Sequence, residues 1–170
     1  MNFLHKFFFF LHIGLVTSIL TFPCVTYAQP TDQKIINFLQ KKCDANEFSY
    51  CGELAIRYQS GVSKDLNKSV ELFQKACDGG MPMPCGILGL SYEDGSYGVL
   101  ENKSKAIQLY QKACDGGDGT SCSNLGRMHE EGSGVRKNSS KALLAYEKAC
   151  NFKYEEGCNK YKNLKKSGVR

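Results

Sequence analysis

Apolar residues recur along most of the chain at the three- and four-residue intervals that are typical of one helix face. The first such stripe predicts a helix over residues 31–43, capped at Thr31 or Asp32. A second helix is predicted from Cys51 through Tyr58, and a third from Leu66 to Cys77. Followed to the end of the chain, the same pattern predicts eight helices. The predicted fold class is therefore all-α.

The helical pattern repeats, because successive cysteine pairs begin 34, 37 and 36 residues apart. One helix of each repeat carries a valine, a potential N-cap three positions later, a lysine six later and an aromatic residue eleven later. These positions are Val62, Val99 and Val135; Asp65, Asn102 and Asn138; Lys68, Lys105 and Lys141; Phe73, Tyr110 and Tyr146. The other helix carries a leucine followed by a small residue, at Leu54-Ala55, Leu88-Gly89 and Leu125-Gly126.

A fixed period of this length is typical of stacked helix-turn-helix repeats. We therefore expect one solenoid domain over residues 29–170, with repeats at approximately 51–84, 85–121 and 122–157. Helices 31–43 and 158–166 would cap its ends. The loops between the two helices of a repeat vary in length, and that edge is a plausible contact surface.

Residues 1–28 are predicted to be a signal peptide. A basic Lys6 precedes a mostly apolar segment, Pro23 ends it, and small residues stand before a cleavage site after Ala28. The apolar segment is short for a membrane span. Lipid attachment at Cys24 is the alternative, but the residues before it lack the small pair that lipoprotein processing prefers. We expect a secreted or periplasmic protein with no stable membrane anchor after cleavage.

Charge adds little to this prediction. The full chain carries a formal net charge of +5 with both signs interspersed. The exception is a group of lysines near the end, at Lys160, Lys162, Lys165 and Lys166. A solvated tail explains that group better than a nucleic-acid or membrane patch, so no nucleic-acid partner is predicted.

Cleavage would leave eight of the nine cysteines, an even number that favours disulfides in an exported chain. The eight form four pairs, each eight positions apart, and a helix–turn–helix corner between them would bring each pair within bridging distance. Eight cysteines permit 105 connectivities, but the repeated local spacing favours Cys43–Cys51, Cys77–Cys85, Cys114–Cys122 and Cys150–Cys158. Zinc and redox sites favour closer spacings, so no metal or cofactor is predicted.

The motifs resemble the Sel1-like repeats, relatives of the tetratricopeptide repeats. The pattern Leu-Gly-x-x-Tyr, Gly-Val and Lys-Ala-x-x-x-Tyr is visible at Leu88–Tyr92, Gly98-Val99 and Lys105–Tyr110. With the Cys-x7-Cys pairs and Lys-Ala-Cys-Asp-Gly-Gly added, the chain is similar to the secreted Helicobacter cysteine-rich protein family. That resemblance implies binding and weak hydrolysis of penicillin-type β-lactams, and a connection with host contact.

The residues themselves do not carry this hydrolase chemistry. The serine β-lactamase motifs are missing from the segment after residue 28, and His129 is the only histidine there, too few for a metallo-enzyme. His129 takes the repeat position of Tyr58 and Tyr92, which favours a packing role. The catalytic residues therefore remain unknown at this stage. Asp65–Ser69 has the form of a bacterial glycosylation site at Asn67, although a helix start explains it better.

Two functions remain open from the sequence. The first is a monomeric, non-enzymatic scaffold that binds a protein or peptide ligand, which the residues favour. The second is a weak β-lactamase that binds a β-lactam or a peptidoglycan-like small molecule, which the resemblance implies. Lys68, Lys105 and Lys141 are candidate ligand contacts if a carboxylate binds the concave face of the solenoid; otherwise they are solvated first-turn residues.

Overall fold

The computed structural model describes residues 30–61 and 63–169, which form eight α-helices. They are α1 (Pro30–Asp44), α2 (Phe48–Ser60), α3 (Leu66–Asp78), α4 (Pro82–Asp94), α5 (Lys103–Asp115), α6 (Gly119–Glu131), α7 (Ser139–Asn151) and α8 (Glu155–Lys166). The all-α prediction is confirmed. The predicted signal peptide, Cys24 and Val62 lie outside the described residues.

Each helix packs mainly against the helices that precede and follow it in the chain, as in a solenoid. The pairs α2–α3, α4–α5 and α6–α7 carry the three repeats, with α1 and α8 on either side. The leucine and aromatic positions of the repeat form the core. Leu54, Leu88, Phe73, Tyr110 and Tyr146 are almost completely buried.

A disulfide closes the corner between successive helix pairs. The structure joins Cys43 to Cys51, Cys77 to Cys85, Cys114 to Cys122 and Cys150 to Cys158, with Cα–Cα distances of 4.3–4.8 Å. In each pair the first cysteine lies in the last turn of one helix. The second lies in the first turn of the next helix. The bridges therefore hold four local corners and do not link distant repeats.

The second helix begins earlier than its sequence predicts. Helix α2 starts at Phe48, whereas the apolar pattern placed its start at Cys51. No side chain caps α2, because Glu47 occupies the N-cap position without a capping hydrogen bond. The signal for the true start is therefore weak, and the more visible cysteine lies one turn inside the helix.

The corner requires one left-handed residue, three positions after the first cysteine. Gly80 and Gly117 fill it with φ values of 88° and 99°, and Asn46 and Lys153 fill it with φ values of 63° and 62°. Glycine adopts this conformation without a steric penalty and is the commonest residue just past a helix end. Lys153 takes the same conformation with a Cβ atom, which is unfavourable for most residues.

Asn and Asp side chains cap the helices that follow the variable loops. Asp65, Asn102 and Asn138 each accept a hydrogen bond from the backbone N–H three residues later, at 2.9–3.0 Å. The predicted N-caps are confirmed. The three donors are the backbone amides of Lys68, Lys105 and Lys141, so the caps fix where these lysines leave the helix.

The small residues of the repeat let two helices approach closely. A Cβ atom on Gly89 would lie 2.7 Å from Cδ1 of Tyr110, and one on Gly126 would lie 2.7 Å from Cδ1 of Tyr146. The rings therefore rest directly on glycine backbone. This contact sets the spacing between the helices of repeats two and three.

Candidate binding surfaces

Two of the three candidate lysines are engaged within the protein. The Nζ atom of Lys68 lies 4.6 Å from the ring centroid of Tyr58, and that of Lys105 lies 4.0 Å from the ring centroid of Tyr92. Lys105 also donates a hydrogen bond of 2.8 Å to the Tyr92 hydroxyl. A cation held over an aromatic face is stabilised by the ring quadrupole. These lysines brace the two helices of their repeats.

The third lysine has a different neighbour. Lys141 faces His129, which stands where the first two repeats carry tyrosine. Within the described residues, Lys141 makes neither a cation–π contact nor an ion pair. Its side chain instead lines two adjoining cavities together with His129. The three lysines are thus equivalent in the sequence but not in their environments.

The two cavities beside His129 differ in character, and together we call them the repeat-three slot. One has a volume of about 430 Å³ and is lined mainly by cationic and polar residues. Arg136, Lys137 and Lys141 are the cations, Asn138 and His129 are polar, and Val135 is the apolar member. The other has a volume of about 280 Å³ and includes the apolar side chains of Leu125, Leu144 and Ala145. The slot therefore has a cationic part and an apolar part.

His129 is 8% exposed, and its buried Nδ1 atom has no hydrogen-bond partner among residues 30–61 and 63–169. Burial lowers the pKa of the imidazole, and the nearby Lys141 ammonium lowers it further. Both effects favour the neutral ring at neutral pH. The ring is thus held uncharged beside an ammonium group.

A second surface is an apolar groove between α2 and α4, which we call the α2–α4 groove. It has a volume of about 220 Å³ and is lined chiefly by Phe48, Ile56, Phe73, Met81, Met83 and Ile87. Ile56 is 44% exposed and Met83 is 64% exposed. Met83 and Ile87 also line a neighbouring cavity with Leu90, so the apolar surface continues towards α6. The sequence did not predict this groove, because its lining comes from different helices.

The model of the Sel1 repeat family matches residues 50–81, 87–118 and 120–151, more than half of the chain. The chain belongs to the Sel1-repeat family. Each match covers one helix that carries Leu54, Leu88 or Leu125 and one that carries Lys68, Lys105 or Lys141. The matched ranges therefore place each lysine and its ring neighbour within one Sel1 repeat.

Solved structures agree with this family. This Sel1-repeat protein is 32% identical to cysteine-rich protein B of Helicobacter pylori, over 78% of this chain and 97% of that one, with a TM-score of 0.62. It is 27% identical to a Sel1 repeat protein from Oxalobacter formigenes, over 75% of this chain and 97% of that one, with a TM-score of 0.70. The resemblance to the cysteine-rich proteins is thereby confirmed.

A protective antigen of uropathogenic Escherichia coli with an SLR fold is also similar. The identity is 27% over 72% of this chain and 26% of that one, with a TM-score of 0.67. The present chain thus corresponds to about a quarter of that antigen. A comparison with functionally curated proteins gave no significant match.

Residues 30–61 and 63–169 of the Sel1-repeat protein contain neither a metal-binding cluster nor a membrane-spanning helix. No group of three or more His, Cys, Asp or Glu side chains in these ranges is arranged to hold a metal ion. No helix in the same ranges is both long and apolar enough to cross a bilayer.

A polar network joins α4, α5 and α6. The hydroxyl of Tyr110 donates to Glu93 at 2.9 Å, and Arg127 donates to the other oxygen of Glu93 at 2.5 Å. Burial and the hydrogen bond to Glu93 strongly raise the pKa of Tyr110. The phenol therefore stays protonated, and the network ties α5 and α6 to α4.

Proposed function

We propose that this Sel1-repeat protein is an exported scaffold that binds a partner protein or peptide through the α2–α4 groove. The family match and the four bridges identify the chain as a disulfide-containing Sel1-repeat protein. Disulfides persist in oxidising compartments, which supports a periplasmic or secreted location. The partner and the mode of binding are the proposal.

The observation that carries the proposal is the exposure of large apolar side chains around one cavity. Contiguous exposed apolar surface on a folded domain marks an interaction site more often than single apolar residues do. Ile56 and Met83 stand at the rim of the groove, and Phe48 and Phe73 line it. A methionine at the rim can adapt its shape to different partners.

The chemistry of the groove favours an apolar anchor from the partner. Its exposed lining is almost entirely apolar, with Ser49 and Glu53 as the polar contributors. Its volume of about 220 Å³ is that of one or two side chains rather than of a drug-sized ligand. A leucine or an aromatic residue on the surface of a partner would fit, with neighbouring contacts along Ile87 and Leu90 excluding water.

Site-specific photocrosslinking in the native bacterium tests this function. A photoreactive amino acid replaces Met83 in one strain and Leu100 in a control strain. Leu100 is 89% exposed and lies outside the groove. We expect a defined protein adduct from position 83, lost when Ile56→Glu is added, and none from position 100. Equal adducts from both positions, or none from position 83, would contradict the proposal.

A weak β-lactamase is the second candidate, supported only by the resemblance to the cysteine-rich proteins. A nitrocefin assay on the repurified oxidised protein distinguishes the two functions. Turnover that persists at constant specific activity through repurification would favour the hydrolase. Material purified in parallel from the same expression strain without the gene controls for contaminating enzyme.

A further inference from the structure

The repeat-three slot carries His129 at the position where the first two repeats carry tyrosine. Tyr58 and Tyr92 each place a ring under the lysine of their repeat, at 4.6 Å and 4.0 Å. In repeat three the smaller His129 leaves Lys141 without a ring contact or an ion pair among the described residues. The exchange therefore leaves a cation beside an open cavity.

The charges around this cation are not balanced locally. Arg136 and Lys137 line the same cavity as Lys141, and no carboxylate lines it. None of these three cations forms an ion pair within the part of the chain that the structure describes. The next charged pair is Lys148 with Asp115, whose atoms are 2.7 Å apart and satisfy each other. The cavity is thus suited to an anion.

The second cavity of the slot adds an apolar wall. Leu125, Leu144 and Ala145 line it beside Gln111 and Lys148, and His129 and Lys141 line both this cavity and the cationic one. A ligand that reached both would place a negative group near Lys141 and an apolar group against Leu144. Simple inorganic anions would use only the first half of the slot.

We propose that the repeat-three slot binds a carboxylate attached to a small apolar body. The carboxylate lies between Lys141 and the Arg136–Lys137 segment, where charge-assisted hydrogen bonds are available. The apolar body lies against Leu125 and Leu144. Both a free small acid and the carboxyl terminus of a peptide with an apolar last residue have this chemistry. The site is separate from the α2–α4 groove and does not depend on the proposed function.

NMR titration of the oxidised protein tests the slot with four probes. They are 3-phenylpropionate as the free acid, acetyl-glycyl-leucine as the peptide terminus, acetyl-leucinamide as the neutral control and inorganic phosphate. We expect at least one carboxylate to bind with a Kd on the order of 1 mM, and the amide and phosphate to bind at least tenfold more weakly. The preferred carboxylate identifies the source. Equal binding of phosphate, or no carboxylate binding, would overturn the proposal.

Three variants locate the binding. Lys141→Gln should weaken it about tenfold, and Lys105→Gln, at the equivalent position in repeat two, should leave it unchanged. His129→Tyr should abolish it, because the ring would fill the slot and take Lys141 as Tyr92 takes Lys105. Tyrosine is native to this position in two repeats, and circular dichroism checks that the variant folds. Unchanged binding in Lys141→Gln and His129→Tyr would place the ligand elsewhere and contradict the proposal.

The imidazole of His129 gives an independent readout, assigned by its loss in His129→Tyr. A bound carboxylate opposes the effect of the Lys141 ammonium and should raise the pKa of His129. An unchanged His129 titration with saturating carboxylate would also contradict the proposal.

Discussion

The ammonium nitrogen of Lys112 lies 2.9 Å from Oδ1 of Asp78, one repeat earlier in the chain. The same pairing joins Lys148 to Asp115 at 2.7 Å and Lys75 to Asp44 at 3.9 Å. The lysine of each Lys-Ala-Cys motif therefore pairs with the aspartate that follows the first cysteine of the preceding corner. We call these three ion pairs between successive repeats the ladder. Asn151, at the fourth corner, carries no charge for such a pair.

The ladder should contribute little per pair. Asp78 is 61% exposed at its side chain, and exposed ion pairs are typically worth 0.2–1 kcal/mol. We expect Asp78→Asn to lower the free energy of unfolding by less than about 1 kcal/mol, an effect that shrinks in high salt. Urea unfolding at two salt concentrations measures it, with Glu71→Gln, which makes no ion pair in the described region, as control.

The ladder also predicts that the stability of the fold depends on pH. The hydrogen bond from Lys112 holds the pKa of Asp78 below its usual value, and that from Lys148 does the same for Asp115. A carboxyl whose folded pKa is lowered stabilises the fold above its unfolded pKa, and this is lost as the pH falls through the folded pKa. Stability should therefore decline as the pH falls below about 4, and less steeply in Asp78→Asn. Identical acid profiles would rule out this role.

Close packing at Gly89 gives a sharper test. Gly89→Ala would place a methyl group 2.7 Å from the ring of Tyr110. We therefore expect the free energy of unfolding to fall by about 1–3 kcal/mol. Gly52→Ala is the matched control, because its nearest neighbour would be Pro84 Cγ at an ordinary 3.4 Å. Gly52→Ala should leave the free energy of unfolding unchanged or raise it by up to about 1 kcal/mol, because alanine has a higher helix propensity than glycine. Thermal unfolding of both variants measures the contrast, and equal effects would contradict the packing argument.

The left-handed corner predicts opposite outcomes at equivalent positions. Lys153→Gly should stabilise the protein by about 0.5–1 kcal/mol, because Lys153 has a φ of 62° that glycine adopts without strain. Gly117→Ala, at a φ of 99°, should destabilise it by about 1 kcal/mol. Chemical denaturation measures both. Destabilisation by Lys153→Gly would mean that the lysine side chain makes a contact stronger than the backbone strain.

The fourth bridge should be the first to open under mild reduction. Cys150 and Cys158 are half-buried, whereas the other three pairs are at most 1% exposed. Thiol–disulfide exchange requires access to sulfur, so exposed bridges react first. Brief treatment with dithiothreitol, alkylation and peptide mapping should find label at Cys150 and Cys158 before any other pair. Labelling of any other cysteine pair before Cys150 and Cys158 would contradict this order.

Much of this architecture could be predicted from the sequence because its determinants are local. Side-chain caps such as Asn102 act within one helical turn, and the burial of Tyr110 follows from its place on an apolar stripe. The start of α2 at Phe48 was missed because no capping side chain marks it.

The surfaces were harder to predict, because they depend on residues from different helices. The α2–α4 groove brings Ile56 and Met83 together across two helices, and neither residue stands out in the chain. The sequence grouped Lys68, Lys105 and Lys141 as equal ligand candidates. The structure distinguishes them, because rings from the other helix of the repeat contact Lys68 and Lys105, whereas Lys141 has no such contact among the described residues. The contact with ligand remains a prediction for all three.

The central claim is that four local bridges hold the corners of the solenoid. Closing each nine-residue loop should contribute about 2.5 kcal/mol by restricting the unfolded chain. Peptide mapping by mass spectrometry of the unreduced protein tests the claim most directly. We expect only Cys43–Cys51, Cys77–Cys85, Cys114–Cys122 and Cys150–Cys158. Free thiols at these positions, or a bridge between cysteines of different corners, would contradict it.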